Sequence, residues 1–231
     1  MKLSIIIPVY NEGSILKKNI ETIEKFFKNK FKFEIIVIDD GSTDNSLSIL
    51  NAIKSKNFKL LSNQINSGKG YSIKRGINES TGEIILTTDA DLSAPIGEFN
   101  KLYKKYSEKI PFVIGSRNKS NSVLNYKQNY SRDILGKIFN YLTKLILNLN
   151  YRDTQCGFKL YNSNKIKSII KLCDVNRFCI DVEILYLASL KSIQVFEEGI
   201  EWNYNTKSTV KLLIDPLNMF IDLVKIRLKK Y

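Results

Sequence analysis

Three observations predict an α/β fold built on a mostly parallel sheet. Short apolar runs alternate with stretches of helical periodicity through the first half of the chain. Polar and acidic clusters fall just after the apolar runs, where the carboxyl ends of parallel strands gather on one edge. With 231 residues, the chain is long enough to bury one sizeable core.

The elements follow in order. Residues 3–9 are apolar with Pro8 near their end, a strand. Residues 14–28 carry Ile15, Leu16, Ile20, Ile23 and Phe27 at helical spacing, with Ser14 as the cap. Residues 33–38 are a second strand, ending in Asp39-Asp40-Gly41-Ser42-Thr43-Asp44. Leu47, Leu50 and Ile53 mark a helix, 58–62 a short strand and 71–79 another helix. Residues 83–88 are a strand that runs into Asp89-Ala90-Asp91. Strands alternating with helices imply right-handed crossovers.

Beyond this, 97–109 read as helix and 112–115 as strand, ending in Ser116-Arg117. Residues 118–128 are a polar loop. Ile134, Leu135, Ile138, Phe139, Leu142, Leu145, Ile146 and Leu149 form an apolar stripe on a long helix. After 154–161 come helices near 164–172 and 180–190 and short strands at 193–196 and 200–202. An amphipathic helix over 216–230 follows. There is no internal repeat or low-complexity linker. The expected organisation is one catalytic domain, 1–211, followed by a C-terminal amphipathic helix, 212–231.

Composition is globular, with 43% hydrophobic residues and a net charge of +13. Such a charge suits an anionic partner: nucleic acid, a phosphorylated substrate or an anionic membrane surface. Lysines that merely solvate helix faces explain it equally well. Three cysteines, Cys156, Cys173 and Cys179, without zinc spacing, point to a reducing compartment. The chain has no histidine, which removes His-based triads, metal sites and acid–base chemistry. The apolar part of the first eight residues is too short for a signal peptide, and no segment has the uncharged length of a membrane span. The expected location is cytoplasmic, peripheral on the cytoplasmic face of a membrane.

Asp89-Ala90-Asp91 carries the most chemistry. Two carboxylates after a buried strand need a partner, because an unpaired buried charge is costly. A hard divalent cation that also holds phosphate oxygens supplies one; a solvated turn is the bland alternative. Asn66-Ser67-Gly68-Lys69-Gly70 suggests a P-loop but fails its pattern, with Asn63 and Gly70 at required positions. Its glycines still allow close backbone approach, and Lys69 suits a diphosphate or a solvated loop.

The stretches Ser4 to Glu12 (SIIIPVYNE), Val37 to Asp44 (VIDDGSTD), Asn66 to Gly70 (NSGKG) and Thr88 to Ser93 (TDADLS), in this order, resemble inverting glycosyltransferases of family 2. Gly115-Ser116-Arg117, Arg132, Asp153-Thr154-Gln155-Cys156-Gly157-Phe158-Lys159-Leu160, Asp181-Val182-Glu183 and Glu201-Trp202 narrow this to the dolichyl-phosphate glucosyltransferase branch, close to the mannosyltransferases. The resemblance implies a GT-A nucleotide-diphospho-sugar transferase fold with C-terminal amphipathic helices. Pro8, Tyr10, Glu12, Ile38 and Asp40 would frame the nucleotide. Asp89, Ala90 and Asp91 would hold the donor, with Asp91 on Mg²⁺ or Mn²⁺ and Asp89 on that metal or on ribose, and Lys69 and Lys207 would assist at the diphosphate. Arg117 and Arg132 would clamp an acceptor phosphate, which matches arginine's bidentate geometry. Gln155 would line the sugar or acceptor pocket, and Cys156 would be packed.

A phosphate acceptor needs little base; a sugar hydroxyl needs a carboxylate, for which Asp153, Asp181 and Glu183 are candidates. Each of these is alternatively an ion-pair partner for Arg152 or Arg177. Two departures from the family pattern stand out: Ser93 replaces a Gln, and Thr209 replaces a diphosphate-binding Lys that Lys207 or Lys211 would substitute. The implied reaction is glucose transfer from UDP-glucose to a polyprenyl phosphate at a membrane surface. The alternatives are GDP-mannose as donor, a sugar hydroxyl as acceptor, and a nucleotide-sugar or nucleic-acid binding module. No recognition-helix, zinc or RNP pattern favours nucleic acid.

Overall fold

The computed structural model describes residues 1–125, 130–204 and 215–231, and only the backbone of 130–133. A seven-stranded sheet runs through the molecule in the order β3-β2-β1-β4-β7-β5-β8. Its strands are β1 (Lys2–Val9), β2 (Lys32–Asp39), β3 (Phe58–Ser62), β4 (Ile84–Thr87), β5 (Phe112–Ser116), β7 (Lys159–Asn162) and β8 (Val195–Gly199). β1 lies parallel to β2 and β4, β2 to β3, and β5 to β8, whereas β7 is antiparallel to both neighbours. The sheet is thus mostly parallel, as expected. The antiparallel insertion of β7 was not visible in the apolar pattern of 154–161. A parallel two-stranded ribbon pairs β6 (Val123–Leu124) with β9 (Glu201–Trp202).

Central strands read as unbroken apolar runs because both faces are covered. Ile5, Ile7, Val37 and Leu86 bury against α1 (Gly13–Phe27), α2 (Ser46–Asn51) and α4 (Phe99–Lys105) in one cluster. Ile6, Ile36, Ile38 and Ile85 face α3 (Lys69–Glu79), α6 (Ser163–Ile170) and α7 (Ile180–Leu190) in a second. The period-two division of Ile5-Ile6-Ile7 between these clusters is the strand pleat itself. A third cluster joins α5 (Tyr130–Leu147) and α8 (Asp215–Leu228) to α7 and Ile114 through Phe139, Leu147, Val182, Leu223 and Ile226. The expected helix at 97–109 is instead a 3₁₀ turn, Ile96–Glu98, followed by the shorter α4. No helix among the described residues is long and apolar enough to cross a membrane.

Candidate active site

The carboxyl ends of β1, β2 and β4 place three loops side by side. The loop after β1 is tied to the loop after β2. The Asn11 side-chain oxygen accepts from the Thr43 and Asp44 amides at 2.8 and 3.3 Å, and Asp44 accepts from the Gly13 amide at 3.1 Å. Asn11 holds φ +57° to make the turn, a conformation asparagine tolerates better than most residues. Pro8 pairs with Ile38 in register, and Tyr10 and Glu12 lie half-buried on the same edge.

Asp40 and Ile38, both expected at the nucleotide, are taken up by the fold. The Asp40 carboxylate accepts from Asn63 Nδ2 at 2.7 Å and from the Ser67 and Gly68 amides at 3.0 and 2.8 Å, so it caps the NSGKG turn. Ile38 is fully buried, and its Cδ1 lies 2.7 Å from where a Cβ on Gly76 would stand. Its side chain packs on α3. Its neighbour Asp39 was not singled out from the sequence. It is buried, its Oδ2 accepts weakly from the Ser42 amide at 3.4 Å, and its Oδ1 has no partner. This oxygen is buried and unsatisfied, and it presents almost no surface to a ligand. Strand parity was the available signal: Asp39 still belongs to β2, and Asp40 is the first residue beyond it.

Asp89 and Asp91 differ in their surroundings. Lys69 Nζ donates to Asp89 Oδ1 at 2.5 Å. Burial disfavours the charge of Asp89, yet Lys69 first, then Lys159 and Arg117, hold its carboxyl below the usual range. Burial likewise disfavours the Lys69 charge, and Asp89 and Asp181 raise its pKa above the ordinary value. The Asp89 carboxylate lies against Gly157, where an added Cβ would stand 2.5 Å from Oδ2. Asp91 has no cationic partner among the described residues. Its Oδ1 and Oδ2 accept from the Ser93 amide at 2.9 Å and from Ser93 Oγ at 2.6 Å. Ser93, where relatives of the expected family carry Gln, thus orients Asp91. Asn19 Nδ2 on α1 donates to the Ala90 carbonyl at 2.8 Å and fixes the same turn.

Arg117 and Asp153 meet as a closed pair. Nε donates to Oδ2 at 2.6 Å, one Nη to Oδ1 at 2.8 Å, and the Arg117 amide to Oδ2 at 3.0 Å. Burial would raise the Asp153 pKa, but the guanidinium overrides it and holds the carboxyl at about 2. The guanidinium carbon lies 5.1 Å from the centre of the Trp202 ring. The expected partner of Asp153, the adjacent Arg152, is not used. Instead Glu197 accepts from the amides of both residues and fixes this turn. Gln155 is half-buried, and its amide donates to Asp153 Oδ1 at 3.2 Å.

Lys159, quoted above only as part of a motif, is fully buried. Its Nζ stands 2.5 Å from Asp181 Oδ1 and donates to the Cys156 carbonyl. A charge inside the run Phe158-Lys159-Leu160-Tyr161 was the available sign of a buried partner. Glu183 accepts from the Asp174 and Val175 amides at 3.0 and 2.9 Å and from the Tyr231 hydroxyl at 2.8 Å. The side chain of Arg132 and all of Lys207, Thr209 and Lys211 lie outside the described residues.

A hard divalent cation fits this donor set only in company. Among the described residues, no three acidic, Cys or His groups converge on one point. Asp91 is the available carboxylate, because Lys69 already neutralises Asp89. The residues fit a cation shared with diphosphate oxygens, not an all-protein site.

Residues 4–170 match the family described as Glycosyl transferase family 2. The dolichyl-phosphate beta-glucosyltransferase of Dictyostelium discoideum is 33% identical over 98% of this chain and 74% of its own length. The Saccharomyces cerevisiae protein of that name is 35% identical over 98% and 74%, and the human one 31% identical over 99% and 75%. Glucosyl-3-phosphoglycerate synthase of Mycobacterium tuberculosis in complex with UDP superposes with a TM-score of 0.70 at 15% identity, over 98% of this chain and 79% of that one. The same enzyme with Mn²⁺, UDP-glucose and glycerol 3-phosphate gives 0.66 at 15% identity, over 97% and 78%. These likenesses establish the GT-A fold expected from the motifs. Because the family match spans most of the chain and the relatives above 30% identity align along nearly all of it, this protein belongs to glycosyl transferase family 2.

Proposed function

We propose that this chain is an inverting glucosyltransferase that moves glucose from UDP-glucose to a polyprenyl (dolichyl-type) phosphate at a membrane surface. One observation carries the acceptor class: the three carboxylates that the sequence offers as general bases are each already engaged. Asp153 is held by Arg117, Asp181 by Lys159, and Glu183 by two amides and a tyrosine hydroxyl. A sugar hydroxyl would need one of them free. A phosphate monoester is already ionised near neutral pH and attacks without a base. The names of the relatives point to the same acceptor.

In this reading the loops after β1 and β2, with Tyr10, Glu12 and Asp40, frame the base and ribose of the donor. Lys69 lies beside the position of the diphosphate and offers its remaining N–H donors as the leaving group forms. Asp91, aimed by Ser93, is the ligand for Mg²⁺ or Mn²⁺. When bound, that cation neutralises charge developing on the departing diphosphate. Asp153 uses Nε and one Nη of Arg117, which leaves outward N–H groups for the acceptor phosphate, with Arg132 as the expected second cation. Inversion follows if the phosphate oxygen attacks the sugar from the face opposite the diphosphate.

The membrane part of the proposal rests on surface composition. Of the fifteen large exposed apolar residues among the described ones, nine lie on α5 and α8. The test is incubation of the full chain with UDP-glucose, Mn²⁺ and a polyprenyl phosphate. A β-linked glucosyl phospholipid is expected by mass spectrometry and NMR. Product from GDP-mannose alone, or transfer only to a sugar hydroxyl, would sink this reading.

A further inference from the structure

The β6–β9 ribbon carries an apolar feature that the fold does not use. Leu124 and Val123 are 56% and 51% exposed. In a ribbon this short, packing gives no reason for two large apolar side chains to face water. The register pairs Leu124 with Trp202 and Val123 with Glu201. Register partners share a face, and successive residues point to opposite faces. Leu124 and Trp202 therefore stand side by side, and Val123 points the other way with Glu201. The Trp202 ring in turn lies over the Arg117 guanidinium, 5.1 Å from its carbon. Head to tail, the order is cation, aromatic ring, exposed leucine. Backbone bonds from Val123 to Ile200 and from Asn125 to Trp202, each 3.2 Å, hold the ribbon in that register.

We infer that the Trp202–Leu124 face is a subsite for the isoprene units adjoining the acceptor's phosphate. This rests on the proposed reading of the acceptor. A prenyl phosphate is a dianion joined directly to a branched hydrocarbon, so its site needs a cation bordering an apolar surface. Arg117 supplies the first, and Trp202 with Leu124 the second. On α5, exposed Ile134, Ile138, Tyr141 and Leu145 recur at helical spacing and offer a further apolar surface.

Trp202 is the single tryptophan of the chain, so its emission reports on this face directly. The probe is farnesyl phosphate, titrated below its aggregation concentration into the full chain without a donor. A blue shift of emission is expected with farnesyl phosphate, and none with inorganic phosphate at equal concentration. Leu124→Ser, at a site where truncation costs no packing, weakens binding about tenfold. Val123→Ser, equally exposed on the opposite face, stays within about twofold of the parent, as a surface change should. Equal weakening by both variants, or an equal response to inorganic phosphate, overturns the subsite. The acceptor reading is judged separately. Binding as described without glucose transfer overturns that reading and leaves the subsite standing. Transfer with an unchanged acceptor KM in L124S overturns the subsite alone.

Discussion

Lys159 Nζ and Asp181 Oδ1 lie 2.5 Å apart in the interior, joining the antiparallel strand β7 to helix α7. The pair belongs to an alternating set in which Lys69 meets Asp89 and Arg117 meets Asp153. Removing one member of a buried pair strands the other, at a cost of about 3–5 kcal/mol. Lys159→Met should therefore lower stability by that order, read from urea unfolding. Adding Asp181→Leu should recover most of it, because two apolar groups leave no orphan charge. A single variant as stable as the parent would refute this account of the pair.

Gly157 is small for the sake of Asp89. An added Cβ would stand 2.5 Å from the carboxylate, which Lys69 holds from the other side. Gly157→Ala must push Asp89 out of place. A displacement near 1 Å at a reacting centre costs on the order of a hundredfold in rate. We expect a fall of that order in kcat/KM for the proposed donor, UDP-glucose, with melting lowered by only a few degrees. Undiminished turnover would show that the position of Asp89 is not critical.

The Arg117–Asp153 pair has a signature in acid. With its carboxyl held at about 2 in the fold, below the ordinary 3.8, Asp153 favours the folded state wherever it is ionised. That contribution, on the order of 2 kcal/mol, is fully present above pH about 4 and fades as the pH falls towards 2. Arg117→Met should abolish this part of the acid dependence and leave Asp153 without its partner. Urea midpoints at pH 5 and pH 3 for both proteins test this. Parallel slopes would argue against the pair as its source.

All three thiols are buried. Burial pushes Cys156 up to about 12, with Asp153 adding to the shift, so its reactive thiolate is scarce at pH 8. The native protein should resist iodoacetamide at pH 8. Denatured protein should take up three labels by mass spectrometry. Labelling of Cys156 at native speed would mean that the turn it lies in opens readily.

The strands β1, β2 and β4 were legible because both of their faces are buried, which leaves apolar runs bounded by polar clusters. Asp89-Ala90-Asp91 was legible for the same reason, as charge directly following such a run. The partner of each charge was not legible. Local spacing suggested Arg152 for Asp153, whereas the fold brings Arg117 from the end of β5, 36 positions away. Nor was it legible that Asp40 caps the turn leading to α3, or that Asp39, one position earlier, keeps a buried oxygen without a partner. One step along a strand reverses the side-chain direction, and a motif of adjacent acids does not say which partners each of them finds.

Helices α5 and α8 each have two apolar sides. On α8, Leu223 and Ile226 bury against the third cluster, while Leu217, Phe220, Ile221, Val224 and Leu228 remain exposed. On α5, Phe139 and Leu147 are buried, and Ile134, Ile138, Tyr141 and Leu145 are exposed. Exposed Lys225, Arg227 and Lys230 accompany the α8 stripe. A helix whose second stripe is apolar and flanked by basic residues suits the interface of an anionic bilayer. Sedimentation with phosphatidylserine-containing vesicles should carry the protein down, and less of it at high salt. Leu145→Glu with Phe220→Glu, both at exposed positions, should reduce the bound fraction at least fivefold without altering the melting temperature. It should also raise the KM for a long polyprenyl phosphate more than for farnesyl phosphate, because only the former must be reached in a membrane. Undiminished vesicle binding by the double variant would move the docking surface elsewhere on this strongly basic chain.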